Sequence, residues 1–151
     1  YIDSLYPVHK HLESSLAVIN RDITERQRTL YRFEDLRRNI NTEYTNVYRQ
    51  RDALEKDIAK HKKAHDMAHQ LFDDNPENEM LQREFHGEVK ELCKLNKQVA
   101  EKSDQLQKLQ IKTDDVDLRW DKVYAGQEYL LAQKNHVQTS MENIEGHVRR
   151  I

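Results

Sequence analysis

The stretch Asp73-Asp74-Asn75-Pro76-Glu77-Asn78 divides the 151-residue chain into two segments of about seventy residues each. Pro76 is one of only two prolines. The other is Pro7, and the 68 residues between them contain neither glycine nor proline. An asparagine before a proline is driven toward extended or turn backbone, so one helix ends here and another opens. The expected cap of the second helix is Asp74 or Asn75. Pro76 would then take its first position, and Glu77 and Glu79 its first turn.

Outward from this turn, apolar residues recur at alternating steps of four and three. The first segment carries Leu12, Leu16, Ile19, Ile23, Leu30, Phe33, Ile40, Tyr44, Val47, Leu54, Ile58, Ala68 and Phe72 on one such frame. The second carries Leu81, Phe85, Leu92, Leu95, Val99, Leu106, Leu109, Val116, Trp120, Val123, Leu130, Val137, Met141, Ile144, Val148 and Ile151. A seven-residue repeat sustained this long specifies a coiled coil. Folding about the turn makes the numbers of facing core residues sum to a constant. At 153, Phe72 faces Leu81, Phe33 faces Trp120, Ile23 faces Leu130, His65 faces Glu88, His61 faces Leu92, and Arg51 meets Lys102 as a like-charge pair.

The predicted fold is therefore all-α, an elongated antiparallel coiled-coil hairpin. Arm one spans residues 3–72, the tip loop 73–78 and arm two 79–151, each arm reaching ~100 Å. Polar Lys112-Thr113-Asp114-Asp115 is a possible break in arm two, although the heptad phase crosses it unchanged. A parallel dimeric tether, in which each chain runs straight or is interrupted near Pro76, is an alternative.

Composition narrows the function. With 3 glycines and 2 prolines the chain lacks the turn residues of a sheet protein and the glycines of phosphate loops and nucleophile elbows. Charged residues make up 34%, the hydrophobic set 36%, and mean hydropathy is -1.03, a profile of long helices with a thin apolar seam. A net charge of -2 carries no overall basic excess that would point to nucleic acid. Cys93 is the only cysteine, so an intrachain disulfide is impossible and a reducing, intracellular compartment is expected. No apolar run of membrane-spanning length occurs, and the absence of an initial methionine suggests a segment of a larger protein.

The run Val116-Asp117-Leu118-Arg119-Trp120-Asp121-Lys122-Val123, followed by Ala125 and Leu130-Leu131, resembles the third helix of a spectrin repeat. The resemblance extends over roughly the last 105 residues, with Leu81 to Leu106 matching the second helix and Tyr44 to Phe72 the first. The first-helix tryptophan of that family is missing, since Trp120 is the only one. The resemblance implies a three-helix bundle broken near Thr113, acting as a spacer and docking surface in a cytoskeletal linker.

Other clusters have plainer readings beside functional ones. His61, His65 and His69 follow one another at four-residue spacing, as in a helical metal site, but also fit polar seam positions near the turn. Arg26, Arg37, Arg51 and Lys102 fall on core-type positions. There they set register, or run their stems over apolar surface with the charge in water. Arg32, Arg38, Arg49, Lys60 and Lys63 form a candidate basic surface, interleaved with carboxylates as on a solvated helix face. No nucleophile–base arrangement accompanies the carboxylates at the tip.

The sequence thus predicts a non-enzymatic spacer and protein-docking module without metal or cofactor. Apolar residues beside the frame, among them Leu36, Tyr48, Leu71, Leu118, Tyr124 and Leu131, suggest self-association as a dimer or four-helix bundle. A membrane-bending module of the BAR type is the remaining alternative. It requires the basic residues on one face.

Overall fold

A computed structural model describes residues 2–150, with the side chains of Ile2 and Asp3 outside the description. It contains two helices, α1 (Ile2–Asp74, 73 residues) and α2 (Glu79–Arg150, 72 residues), packed antiparallel as a hairpin, and no strand among the described residues. Ile151, the last expected frame residue, lies outside the described residues. The chain groups into two compact units: residues 1–38 with 114–151, and residues 39–113.

The tip loop is residues 75–78, shorter than the expected 73–78. The Asn75 N–H donates to the carbonyls of Leu71 and Phe72, both at 3.1 Å, and its side-chain amide donates to Leu71 at 3.2 Å. These bonds satisfy terminal carbonyls of a helix whose last turn has no basic side chain. The cap of α2 is Asn78, not Asp74 or Asn75. Its Oδ1 accepts from the N–H groups of Met80 at 3.0 Å and Leu81 at 3.2 Å. Pro76 sits in the turn itself, so the first helical position falls to Glu79, whose carboxylate suits the helix N-terminus. Asn78→Ala should therefore cost about 1 kcal/mol in chemical denaturation. A loss no larger than that of Asn78→Gly would contradict the cap.

The possible break at Lys112–Asp115 is absent, because α2 runs through it without interruption. Thr113 turns its hydroxyl back onto the Leu109 carbonyl at 3.1 Å rather than capping a new helix, Arg119 bridges one turn to Asp115 at 3.1 Å, and Val116 is buried. The apolar phase outweighs the local polarity. The described chain forms two helices, so a three-helix bundle is not its architecture.

Every buried residue lies on the heptad frame: Leu30, Ile40, Val47 and Ala68 in α1, and Leu95, Leu106, Leu109, Val116 and Gln127 in α2. In heptad letters Leu30 is an a position and Ile40 a d position. Arg37 is the frame residue of α1 that stands exposed, with its guanidinium reaching Asp117 at 3.2 Å. No side chain is completely shielded among the described residues. The seam shields these buried residues almost completely, while many of their frame neighbours stay half-buried.

Candidate interaction surfaces

In the unit formed by residues 1–38 and 114–151, polar contacts among the described residues cross the seam. His9 Nε2 meets Glu145 Oε1 at 3.0 Å, Gln127 Nε2 donates to Gln27 Oε1 at 2.7 Å, and Arg37 pairs with Asp117. Each joins an a position to an e position, and the residue numbers sum to 154, one step from core layers at 153. Gln127 is only 7% exposed, so its amide depends on Gln27 for a partner. Arg26 lays its guanidinium over Gly126, close enough that a side chain at Gly126 would displace it.

Phe33, Arg37, Val116 and Trp120 line one groove with Glu34, Asp117 and Asp121 on its rim. Phe33 and Trp120 thus share a site, but the ring stack of Trp120 is with Tyr124, one turn along its own helix, at 4.8 Å and 10°. The indole Nε1 of Trp120 is buried without a hydrogen-bond partner. Leu130 lies with Val123 and Arg26 in a second hollow, and Ile23 is half-buried. The Tyr124 phenol is held above its usual range by a hydrogen bond to Glu128 and by that carboxylate's charge, with a smaller contribution from desolvation. Glu128→Gln should accordingly let Tyr124 ionise at lower pH, which a residue-specific NMR titration of the phenol carbon would register. An unchanged titration would contradict the contact.

In the unit formed by residues 39–113 the expected pairing of His65 with Glu88 does not form. Glu88 Oε2 instead meets His61 Nδ1 at 2.9 Å, and His61 is therefore occupied by a carboxylate, not by Leu92. His65 turns toward Asp66 at 3.1 Å and stacks on His69, with ring centroids 6.2 Å apart. Both imidazoles rest against Phe85, which stacks on Phe72 at 5.8 Å and 5°. The physical reason is aromatic: Phe85 takes the space opposite His65 and His69, leaving the carboxylate of Glu88 to the next imidazole down the helix. Among the described residues no group of three or more His, Cys, Asp or Glu side chains gathers as for a metal ion. The expected clash of Arg51 with Lys102 is relieved, since Arg51 reaches Ser103 at 3.4 Å and Glu55 at 4.0 Å and lies over the Tyr48 ring.

Of the basic surface residues, Arg38 is engaged by Asp35 at 3.1 Å, while Arg32, Arg49, Lys60 and Lys63 are exposed. Their heptad positions (c for Arg32 and Lys60, b for Arg38, f for Arg49 and Lys63) spread them over the outer half of α1 rather than along one line. Apolar side chains are exposed beside the frame, including Leu36, Tyr48, Leu71, Leu118, Tyr124 and Leu131. No described helix is long and apolar enough to cross a membrane. Cys93 is exposed as a free thiol.

No family model, curated protein or solved structure matches the chain.

Proposed function

We propose that this hairpin is a non-enzymatic structural module of a larger intracellular protein, a spacer whose helix flanks dock protein partners, a second copy included. The observation that carries this reading is the distribution of apolar side chains. Eight hydrophobic residues are buried in the seam, while sixteen large ones stand exposed among the described residues. Exposed apolar side chains at this frequency, recurring along both helices, suit helix-on-helix docking better than a solvated rod. The free, exposed Cys93 fits a reducing compartment. A membrane-bending role has weaker support, because the basic side chains are dispersed around α1 and several are tied to neighbouring carboxylates.

The test is replacement of residues 1–151 in the parent protein by an unrelated antiparallel hairpin of equal arm length. Loss of the parent's assembly or placement supports docking, and full function after the exchange overturns it. Co-sedimentation with phosphatidylserine vesicles at moderate salt would shift the reading to a membrane module.

A further inference from the structure

We propose that a basic amphipathic helix of a partner protein docks along the flank of the hairpin formed by residues 17–34 and 117–138, placing an arginine or lysine in the hollow that Phe33 and Trp120 share. The proposal rests on reading the helix flanks as docking surfaces and gives one of them a partner of defined chemistry.

The e, b and f positions of a heptad are neighbours on one side of a helix, covering about 100° of its circumference. In α2, from Asp114 to Gly146, they hold six carboxylates, Asp114, Asp117, Asp121, Glu128, Glu142 and Glu145, and no lysine, arginine or histidine. The basic residues of the same stretch, Arg119, Lys122, Lys134 and His136, all fall on a, c and g positions. A helix face that only meets water mixes the two signs, and this one separates them. Level with residues 117–138, the e and b positions of α1 are Ala17, Asn20, Thr24, Gln27, Tyr31 and Glu34, again without a cation. Arg21 and Arg28 of α1 lie one row further out on f positions, which turns a basic partner toward α2. Arg37 enters this flank but is spent on Asp117 at 3.2 Å. Glu34, Asp121 and Glu128 have no ion pair among the described residues, and Glu128 accepts a hydrogen bond from the Tyr124 phenol.

Apolar surface runs beside the carboxylates. Tyr124 and Leu131 on e positions and Leu118 on an f position are 43%, 37% and 54% exposed. Ala125 and Ala132, also on f positions, continue the line with side chains short enough for another backbone to come close. These residues recur at seven-residue intervals, the interval at which a helical partner presents its own apolar ridge. One place on the flank fits a cation. Phe33 and Trp120 line a hollow of about 360 Å³ whose rim carries Glu34, Asp117 and Asp121. With Arg37 answering Asp117, two carboxylates remain beside two aromatic rings. A guanidinium or ammonium there gains ion pairing and aromatic contact together.

The experiment titrates the whole chain with a synthetic four-heptad peptide that carries leucine at its a and d positions and arginine at e and g. The peptide lacks tryptophan, and its like charges oppose pairing with itself. Trp120 is the only tryptophan of the chain, so its fluorescence reports occupancy of the hollow while calorimetry gives the affinity. The peptide should bind, and raising the ionic strength should weaken binding. Asp121→Lys and Glu128→Lys should each weaken it about tenfold, while Glu25→Lys, on the opposite flank, should leave it within about twofold. The same peptide with glutamate for arginine should bind at least about tenfold more weakly. Far-UV circular dichroism checks the fold of each variant. Failure of the arginine peptide to bind the folded chain overturns the proposal. An equal loss from Glu25→Lys also overturns it, since that marks general charge attraction. Equal binding of the glutamate peptide overturns the basic partner and leaves the broader docking reading standing.

Discussion

Leu109→Ala is expected to destabilise the hairpin by about 2–5 kcal/mol, whereas Leu118→Ala, nine residues on, should change stability by less than about 0.5 kcal/mol. Leu109 is 4% exposed on a d position of α2 and Leu118 is 54% exposed, so the same truncation opens a cavity in one case and removes a solvated side chain in the other. Chemical denaturation followed by far-UV circular dichroism measures both. Helix propensity cannot account for a difference, since each change is from leucine to alanine in the same helix. Equal losses would mean that the seam is not where stability resides.

Trp120 yields the second large effect. Trp120→Ala should cost about 2–3 kcal/mol, less than for a fully buried ring, because it removes one wall of the groove it shares with Phe33 and Val116 and the ring on which Tyr124 stacks. Trp120→Phe should cost far less, within about 1 kcal/mol of the wild type. The lost ring volume is offset by deleting a buried indole N–H that has no acceptor, a defect worth about 1–3 kcal/mol. If phenylalanine were as damaging as alanine, the indole N–H would have to be making a bond. The paired substitution thus separates packing from polarity at one site.

Much of this architecture was legible in the amino-acid order. A frame stepped from Leu12 and from Leu81 collects every residue that the structure buries, Gln127 included, because heptad phase records which side of a helix meets its partner. The unbroken passage through Lys112–Asp115 follows from the same phase. What the order of residues did not disclose was settled by side-chain reach. Asn78 caps α2 from the last loop position, two residues beyond the proline that signalled the turn. Glu88 goes to His61 because Phe85 occupies the space before His65, a competition visible only once the rings have size and direction. Arg37 holds a core position in the heptad yet leaves the seam for Asp117, since its stem is long enough to carry the charge outward. The unpartnered indole of Trp120 has no sequence signal.

The cross-seam polar contacts also bear on how the chain finds its alignment while folding. A heptad repeat is nearly degenerate, because sliding one arm by seven residues matches apolar positions with apolar positions again. The contacts of His9, Gln27 and Arg37 break that degeneracy because their spacings along α1, eighteen and then ten residues, are unequal and neither is a multiple of seven. After a slip of one heptad Arg37 would stand against Gln110 or Tyr124 and Asp117 against Leu30 or Tyr44, so their ion pair is lost, and Gln27 would face Trp120 or Lys134 in place of Gln127. An exposed ion pair of this kind is worth about 0–1 kcal/mol, so each contact tilts the balance toward the native alignment by a modest amount. The three contacts work like the unequal teeth of a key, adding little to stability at the surface while discriminating one alignment from its near copies.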